Sequence, residues 1–333
     1  MILVAFLTML FSAAATRALV KRGGLASDIP NQRSSHSAPT PRGGGVAIGV
    51  AMLVALSSRM SLFESQQLTY AVLFSILMLA LGIREDRSSL SAKMRLSIQT
   101  VGALIVVLAG NLSIPQLGWG AWTWDIPSAL SIPLSVIWIV WVLNLFNFMD
   151  GINGIACQQG LAVALGIAVF PGQTTSVSAI ALWMGAAIIG FLPFNFPRAR
   201  IFMGDSGSLF LGAWIAILPL LSQRPGSFHG GDAILVIAPF FLDASITLIK
   251  RLIRGEKVTT AHRGHHYQML TDLLGSHTPV TIWYSAWSML FVTLMIMRAS
   301  ALPQAIAVMA LLAWFGLISF KHRQFVRQQI KGT

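Results

Sequence analysis

Long apolar segments recur along the whole chain, and only short polar connections separate them. Runs of about 16 to 20 apolar residues come close to the roughly 20 that a helix needs to cross the hydrocarbon core of a bilayer. A bilayer offers no water to unpaired backbone groups, so the spans must be α-helices. The pattern therefore predicts an all-α, polytopic integral membrane protein of about 11 transmembrane helices, organised as a single domain over residues 1–333.

The composition agrees with a lipid environment. Of the 333 residues, 55% are hydrophobic and 10% are charged, with a mean hydropathy of +0.72, whereas soluble domains carry about 25% charged residues. The single cysteine, Cys157, cannot form a disulfide within the chain, and we interpret it as a packing residue. The expected spans are Leu3–Val20, Gly43–Ser58, Leu68–Ile83, Leu96–Leu112, Leu130–Phe148, Ile155–Pro171, Val177–Leu192, Ser208–Leu221, Ala233–Ile249, Val280–Met297 and Ala301–Phe320.

Lysine and arginine are distributed very unevenly between the two sets of alternate connections. One set holds three of the 23 basic residues, Arg59, Arg224 and Arg298, and the other set with its flanks holds the remaining 20. By the positive-inside rule the basic side is cytoplasmic, which places the N-terminus outside and the C-terminus in the cytoplasm. The net charge of +12 is therefore mainly a topology signal, and we expect no nucleic-acid partner because the chain contains no recognisable basic readout module.

Chemistry is expected on the cytoplasmic side, because the polar connections there are the more elaborate ones. The expected active-site loops are residues 21–42, 84–95, 148–154, 195–207 and 250–279. The opposite connections are short or plain. The tryptophans of Gln116–Trp124 on that side are typical of an interfacial aromatic belt.

The first two loops combine glycine, arginine and carboxylate residues. Arg42 precedes a glycine run that enters a helix, where backbone amides can bind an anion. An ordinary turn with basic charge on the cytoplasmic side is the alternative interpretation. Glu85 and Asp86 form an adjacent acid pair at the end of a span. Such a pair can share a metal, divide into a base and an electrostatic partner, or simply form a solvated charged boundary. Lys93 and Arg95 are candidate contacts for phosphate oxygens.

The third loop contains four polar residues at three-residue intervals, Asn144, Asn147, Asp150 and Asn153, at the inner end of a span. On a helix these positions form one drifting stripe. Polar groups so close to lipid must face the bundle interior or a wet cavity, and a purely structural polar seam is the alternative. Gly151 indicates a place where the backbone opens to a ligand.

The fourth loop contributes Asp205, in the segment Phe202–Ser208. An isolated aspartate at this position would usually be a helix N-cap. Alongside Asp86, Asp150 and Asn153, however, it can join a set of oxygen ligands around one divalent ion. Mg²⁺ suits such a set, because it binds through one or two carboxylates and completes its shell with water and substrate phosphates.

The fifth loop contains His262, Arg263, His265 and His266. Three histidines within five residues can bind zinc, donate hydrogen bonds to phosphate or transfer protons. Zinc is the less attractive interpretation, because no other histidine or cysteine has a matching spacing. Asp243, inside the preceding span, is a functional candidate as an intramembrane acid, and pairing with a basic neighbour is the alternative.

Taken together, these loops resemble the polyprenyl-phosphate N-acetylhexosamine-1-phosphate transferases, glycosyltransferase family 4. The resemblance extends from Asp28 to about Gln268. Five blocks occur in the family's order: Pro-Thr-Pro-Arg-Gly-Gly-Gly, Glu-Asp, Asn-x-x-Asn-x-x-Asp-Gly-x-x-Gly, Phe-x-Gly-Asp-x-Gly-Ser and His-Arg-x-His-His. No single block would suffice, but the ordered set is specific.

The resemblance implies a reaction in the bacterial inner membrane, with the active site facing the cytoplasm. The phosphate of undecaprenyl phosphate attacks the β-phosphorus of a UDP-N-acetylhexosamine, releasing UMP and leaving a lipid-linked diphosphate sugar. We expect direct in-line attack rather than a covalent phospho-enzyme, because phosphoryl transfer depends mainly on alignment and charge neutralisation.

Site roles carry over residue by residue from this resemblance. Asp205 would be the principal Mg²⁺ ligand, with Asn153 as helper and Asp150 close by, and Mn²⁺ is the alternative ion. Asp86 and Glu85 occupy the acid pair that handles the lipid phosphate. The positions matching contacts with the uracil ring are Gly151, Asn153 and Phe202. The positions matching contacts with phosphates and sugar are Lys93, Arg263, His262, His265 and His266, with His265 among the catalytic candidates and Arg42 among the substrate-binding ones.

Two departures from the family pattern bear on the branch. The family usually has aspartate where this chain has Glu85, and the peptidoglycan branch has three consecutive histidines where Arg263 and Gly264 interrupt them here. The interruption favours the O-antigen-initiating branch over the phospho-N-acetylmuramoyl-pentapeptide transferase. A proton-coupled transporter is the rival from another class, disfavoured because the charges gather at one face and no internal repeat is visible. The identity of the N-acetylhexosamine, and whether the protein is a homodimer, stay open.

Overall fold

The structure is a computed structural model that describes residues 1–29, 39–59, 65–119, 122–223, 228–257 and 263–331. Helices dominate these ranges, with two short β-hairpins between them. The helices are α1 (Ile2–Arg22), α2 (Gly45–Ser57), α3 (Gln66–Arg87), α4 (Ala92–Ala109), α5 (Ser128–Met149), α6 (Ile155–Ala168), α7 (Thr175–Asn195), α8 (Gly204–Ser222), α9 (Gly230–Val236), α10 (Ala238–Ile253), α11 (His266–Leu274), α12 (His277–Ile296) and α13 (Ala301–Lys331). The strands are β1 (Ala26–Asp28), β2 (Thr40–Arg42), β3 (Gln116–Trp119) and β4 (Trp122–Asp125).

Every expected span corresponds to a helix or a bent pair of helices, which confirms the all-α polytopic class. Eight helices in the described ranges are long and apolar enough to cross a bilayer. The expected spans at Gly43–Ser58 and Ile155–Pro171 correspond to the shorter apolar helices α2 and α6. The span at Ala233–Ile249 is the pair α9 and α10, bent by 89°. The number of crossings and their orientation therefore remain predictions.

The bend between α9 and α10 has a local cause. Pro239 lies in the first turn of α10, and proline supplies no backbone N–H to continue a helix from the preceding turn. The bend leaves Asp243 fully buried inside the bundle, one turn beyond the proline.

Three elements lie outside the sequence prediction. Helix α11 occupies part of a loop that was expected to be irregular, and both hairpins were unforeseen. In the first hairpin β1 pairs antiparallel with β2, with Ala26 opposite Arg42. This pairing places Arg42 directly before α2, where its side chain can reach α3 and α8.

Helix α8 forms the centre of the bundle, and nearly all of its residues are buried. It packs closely on α2 and α3 through glycines. A side chain at Gly45 would collide with the backbone of Gly207, and one at Gly82 would collide with the backbone of Asp205 and Ser206. Small residues at these crossings let the three backbones approach closely, as in membrane helix pairs generally.

We predict that Gly45→Val destabilises the protein, because α2 must move away from α8 to accommodate the new side chain. Overpacking of this kind costs roughly 1–3 kcal/mol. A thermal unfolding measurement in detergent should show a lower Tm. The matched control is Gly316→Ala in α13. Apart from the neighbouring backbone of the same helix, no atom in the described ranges lies within 4 Å of the added carbon. An unchanged Tm for Gly45→Val would show that this crossing is not tightly packed.

Candidate active site

The carboxylate of Asp86 joins α3 to the start of α8. One oxygen accepts hydrogen bonds from the backbone N–H of Asp205 at 2.9 Å, and the other accepts from that of Ser206 at 3.0 Å. The same carboxylate accepts from Nε and Nη2 of Arg42 at 3.0 and 2.9 Å. Its side chain is 0% exposed. A buried carboxylate with this set of partners is already satisfied by the protein.

The position of Asp86 follows from the local backbone at Gly204. Gly204 has φ +73°, and a side chain there would press on both Asp86 oxygens. The absent side chain lets the carboxylate approach the first turn of α8, where unpaired N–H groups and the helix dipole favour a negative charge. Glu85, its neighbour, is also buried and accepts from the backbone N–H of Leu90 at 3.2 Å, so it stabilises the turn between α3 and α4.

Asp205 is the carboxylate that this arrangement leaves partly open. Its side chain is 26% exposed, and its Oδ1 accepts from Nδ2 of Asn147 at 2.7 Å. Its Oδ2 lies 3.7 Å from Nη2 of Arg42. Arg42 therefore lies between two acids and connects the buried Asp86 to the more accessible Asp205.

The polar stripe expected on α5 is real only in part. Helix α5 ends at Met149, so Asn144 and Asn147 are helical whereas Asp150 and Asn153 lie in the following turn. The expected end of the span at Phe148 agrees with this boundary, and the chain turns before α6 begins. The turn nevertheless keeps Asp150 close enough to Asp205 for the two charges to interact.

Asp150 lies close to two other carboxylates. Within the described ranges its side chain makes no hydrogen bond or ion pair. Burial raises the pKa of the Asp150 carboxyl well above its usual range, and the carboxylates of Asp205 and Asp86 raise it further. A bound cation would offset this repulsion, and the ionised form would then be favoured.

The residues matched to uracil contacts lie in neighbouring connections. Nδ2 of Asn153 donates to the carbonyl of Pro197 at 3.0 Å, and its own carbonyl accepts from Thr281 of α12 at 2.7 Å. The half-buried Phe202 is held through its main chain, donating to the carbonyl of Pro41 at 2.8 Å. The hydrogen bond between Asn153 and Pro197 joins the turn after α5 to the loop before α8, and the bond between Phe202 and Pro41 joins that loop to β2.

Gly151 is explained by a protein contact that the sequence did not reveal. A side chain at Gly151 would collide with the hydroxyl of Tyr267, which donates to the carbonyl of Phe148 at 3.2 Å. Tyr267 is buried, and burial raises the pKa of its hydroxyl. The glycine therefore lets α11 dock against the end of α5.

A cavity of about 700 Å³ opens between α4, α5, α10 and α11, and we call it the groove. Most of its lining is apolar, with basic and polar side chains among the rest. The lining residues that carry the argument are Lys93, Arg95, Val140, Asn144, Arg251 and His265. Arg95 is close enough to Asp205 to interact with it electrostatically. The groove and the carboxylates are therefore adjoining parts of one site.

The fifth loop contains His262, Arg263, His265 and His266, and we call this segment the histidine loop. Those of its side chains that the structure describes have different environments. His265 lines the groove, whereas His266 is 1% exposed and has both ring nitrogens within reach of protein groups. Arg263 pairs with Asp272 of α11 at 2.8 Å. His262 lies outside the described residues. The structure therefore brings one histidine of the motif to the groove and uses another for packing.

The metal ligands expected from sequence are only partly assembled. No group of three or more histidine, cysteine, aspartate or glutamate side chains in the described ranges is arranged to hold a metal ion. Asp86 is occupied by Arg42 and backbone amides, and the hydrogen bonds of Asn153 run towards α7 and α12. Asp150 and Asp205 fit a magnesium ion, because Mg²⁺ needs only one or two carboxylates when water and substrate phosphates complete its shell.

Several residues of the site escaped the sequence interpretation. Arg251 lines the groove, and basic charge at a membrane boundary concealed it as a topology signal. Asn195 accepts from the backbone N–H of Gly154 at 2.8 Å and donates to the carbonyl of Ile201 at 3.1 Å, joining two loops. A lone buried asparagine at a helix end offers no sequence signal of that role.

Comparisons with known proteins find similar sequences. The model of glycosyl transferase family 4 matches residues 68–223, which include Asp86, Asp150 and Asp205. A probable undecaprenyl-phosphate N-acetylglucosaminyl 1-phosphate transferase from Bacillus subtilis is 27% identical, over 98% of this chain and 95% of its own length. The chain is therefore similar to glycosyl transferase family 4 over residues 68–223 and, over most of its length, to polyprenyl-phosphate N-acetylglucosamine-1-phosphate transferases.

Two further relatives cover less of the chain. The decaprenyl-phosphate N-acetylglucosaminephosphotransferase of Mycolicibacterium smegmatis is 29% identical, over 83% of this chain and 76% of the relative. The undecaprenyl-phosphate alpha-N-acetylglucosaminyl 1-phosphate transferase of Escherichia coli K12 is 27% identical, over 76% of this chain and 71% of the relative.

We predict that Asp86→Asn lowers the free energy of unfolding, because one amide oxygen cannot replace two carboxylate oxygens that serve Arg42 and two backbone amides. Leaving such partners unsatisfied costs roughly 1–3 kcal/mol. The measurement is Tm in detergent, with Asp125→Asn as control. Asp125 also accepts one side-chain hydrogen bond, but on the exposed β3–β4 hairpin, so its replacement should leave Tm unchanged. Equal Tm values for the two variants would contradict the anchoring role of Asp86.

Proposed function

We propose that this protein transfers N-acetylglucosamine 1-phosphate from UDP-N-acetylglucosamine to undecaprenyl phosphate. The products are UMP and undecaprenyl-diphosphate-N-acetylglucosamine. The observation that carries the proposal is the joining of two features: a pair of neighbouring acids, and an apolar groove with basic side chains that opens next to it. The names of the relatives supply the sugar and the class of lipid.

The groove suits a polyprenyl phosphate acceptor. Its walls are mainly apolar and run between helices that are long enough to cross a bilayer, so an isoprenoid chain can enter from the lipid phase. Lys93 and Arg95 supply positive charge for the phosphate group, whereas Arg251 in the same lining is paired with Glu256 at 2.9 Å. Arginine suits this task because its planar guanidinium can donate two parallel hydrogen bonds to phosphate oxygens.

The diphosphate of the donor belongs on the side of Asp150 and Asp205. These two residues would hold Mg²⁺, or Mn²⁺ as the alternative, and the ion would neutralise charge on the diphosphate. Asn147 orients Asp205 through the 2.7 Å hydrogen bond to Oδ1. Gly151, Asn153 and Phe202, matched to the uracil contacts of the family, would receive the nucleoside end of the donor.

The chemical step exchanges one phosphorus–oxygen bond for another. An oxygen of the lipid phosphate forms a bond to the β-phosphorus, and the bond from the β-phosphorus to the bridging oxygen breaks, so UMP leaves with the electron pair. The second ionisation of a phosphate monoester lies near pH 6, so the acceptor is largely a dianion and needs no strong base. The protein therefore contributes chiefly alignment and charge neutralisation.

Asp86 acts in this scheme by positioning rather than by taking a proton. Its oxygens accept hydrogen bonds from Arg42 and from the first turn of α8, so the carboxylate holds Arg42 beside Asp205. This assignment differs from the sequence interpretation, in which Asp86 belongs to the acid pair that handles the lipid phosphate. Glu85 similarly supports the turn that leads to Lys93.

The cellular setting extends the proposal. With the basic connections in the cytoplasm, the site faces the cytoplasmic pool of nucleotide sugars in a bacterial inner membrane. The reaction would then be the first membrane step of O-antigen or a related surface polysaccharide, within lipopolysaccharide synthesis and cell-wall biogenesis. The broken histidine run favours this branch over peptidoglycan synthesis.

We predict that purified protein releases UMP from UDP-N-acetylglucosamine only when undecaprenyl phosphate and Mg²⁺ are both present. Asp205→Asn should reduce the rate by at least about 100-fold, because an oriented charge-neutralising ligand is lost. Asp232→Asn is the matched control, since Asp232 also sits in the first turn of a helix, α9, and accepts a backbone hydrogen bond there. Near-normal turnover by Asp205→Asn would remove the metal assignment, and failure with every UDP-N-acetylhexosamine would remove the proposed function.

We predict that Val140→Trp raises KM for undecaprenyl phosphate several-fold and leaves KM for the UDP-sugar unchanged. Val140 is half-buried and lines the groove, so the larger ring would occupy space needed by the isoprenoid chain. Leu104→Trp on α4 is the control, because Leu104 is exposed on the bundle surface and lies outside the groove lining. An equal effect of both variants, or a rise in the donor KM alone, would argue against the groove as the acceptor site.

A further inference from the structure

We propose that the buried carboxylate of Asp243 positions the histidine loop and thereby holds His265 at the groove. His266 has a structural role in this arrangement of Asp243, His265 and His266, which we call the clamp. The proposal rests on the proposed function for its kinetic consequences, but its geometry stands on separate observations. Asp243 lies on α10, whereas His265 is the N-cap of α11 and His266 is its first residue.

The carboxylate of Asp243 collects hydrogen bonds from three elements. It is 0% exposed. Its Oδ1 accepts from the backbone N–H of His266 at 2.8 Å, and its Oδ2 accepts from that of Tyr267 at 3.1 Å. The hydroxyl of Tyr284 on α12 donates to Oδ2 at 2.6 Å, and that of Thr247 donates to Oδ1 at 3.3 Å.

These contacts explain a buried acid without invoking transport. A buried carboxylate is tolerated when hydrogen bonds replace its lost hydration. Two of the donors are the first N–H groups of α11, so Asp243 also stabilises the N-terminus of that helix. A single side chain therefore fixes where α11 begins, and with it the loop that precedes the helix.

His266 is held on both sides and is used for packing. Its Nδ1 lies 3.0 Å from Oδ1 of Asp243, and its Nε2 lies 3.4 Å from Nζ of Lys250. Its ring stacks on Phe315 of α13, with centroids 4.4 Å apart and an interplanar angle of 12°. Because Lys250 donates and Asp243 accepts, the arrangement favours the neutral tautomer with its proton on Nδ1. His266 therefore connects α10, α11 and α13.

His265 is the histidine placed for chemistry. Its Nδ1 lies 3.6 Å from Oδ1 of Asp243, and its ring stacks on that of Tyr267. The ring also lines the groove beside Arg251. With Nδ1 on the Asp243 side, Nε2 is the nitrogen that would contact a phosphate oxygen in the groove. The 3.6 Å separation is a charge contact rather than a hydrogen bond, so Asp243 holds the loop through its backbone hydrogen bonds and acts on the His265 ring electrostatically.

The test replaces Asp243 by asparagine, which keeps the shape but removes the charge and one acceptor oxygen. In the purified enzyme we expect kcat to fall about 10- to 100-fold, the range for losing one hydrogen bond to a charged group. KM for both substrates should change less than about threefold. Asp232→Asn is the matched control at the opposite end of the bundle.

Coupling to His265 separates positioning from a general loss of structure. If Asp243 acts through His265, then His265→Gln should reduce kcat in the parent protein but have almost no further effect in Asp243→Asn. Independent, multiplicative effects would overturn the proposal, as would wild-type kcat in Asp243→Asn. If Asp243→Asn does not fold, Tyr284→Phe takes its place: it removes only the 2.6 Å hydrogen bond and should show a smaller reduction with the same coupling. Absence of coupling there would overturn the proposal.

A spectroscopic measurement makes the result independent of the reaction. In protein labelled with ¹⁵N at its seven histidines, the ring signals of His265 and His266 can be assigned by their glutamine variants. Asp243→Asn should shift both sets of signals, because ring nitrogen shifts report tautomer and hydrogen bonding. Unchanged ring signals of His265 and His266 in Asp243→Asn would overturn the proposed role of Asp243, even if that variant were fully active. Shifted signals in a protein that released no UMP would support the clamp while refuting the proposed function.

Discussion

Buried negative charge is the constraint that organises this molecule. A carboxylate taken out of water must recover its lost hydration through hydrogen bonds or a counter-charge, or it destabilises the fold. Asp86 and Asp243 meet this requirement in the same way: each lies on one long helix and accepts backbone N–H groups at the start of another. The two carboxylates therefore act as joints between helices, one holding α8 with Arg42 and the other holding α11 with the histidine loop.

The remaining acids of the site are arranged in the opposite way. Asp150 lacks a side-chain partner within the described ranges, and Asp205 is satisfied on one oxygen by Asn147 while the other faces Arg42 at 3.7 Å. Such incomplete satisfaction is costly in an isolated protein but useful where a cation and a diphosphate bind. The contrast between satisfied and unsatisfied carboxylates thus distinguishes the framework of the site from the part that meets substrate.

In the proposed function, the groove brings a lipid phosphate to this polar centre. Phosphoryl transfer between a water-soluble nucleotide sugar and a membrane lipid requires both reacting phosphates to meet at the edge of the bilayer. The lining provides apolar walls from α4, α5 and α10 and basic side chains that include Arg95 and Arg251. Helix α8, packed closely through Gly45, Gly82 and Gly207, supplies the rigid support on which this meeting depends.

The sequence by itself determined the membrane class, the approximate spans and the loops in which polar chemistry is concentrated, because hydrophobic length and residue type act locally. It also supported the family through ordered motifs. Only the tertiary structure decided which carboxylates are satisfied by hydrogen bonds and which are not, because the partners lie far apart in the chain. Asp86 accepts hydrogen bonds from Arg42 and Ser206, and Asp243 accepts one from Tyr284. Residue type alone carries no record of whether a carboxylate already has its hydrogen-bond partners.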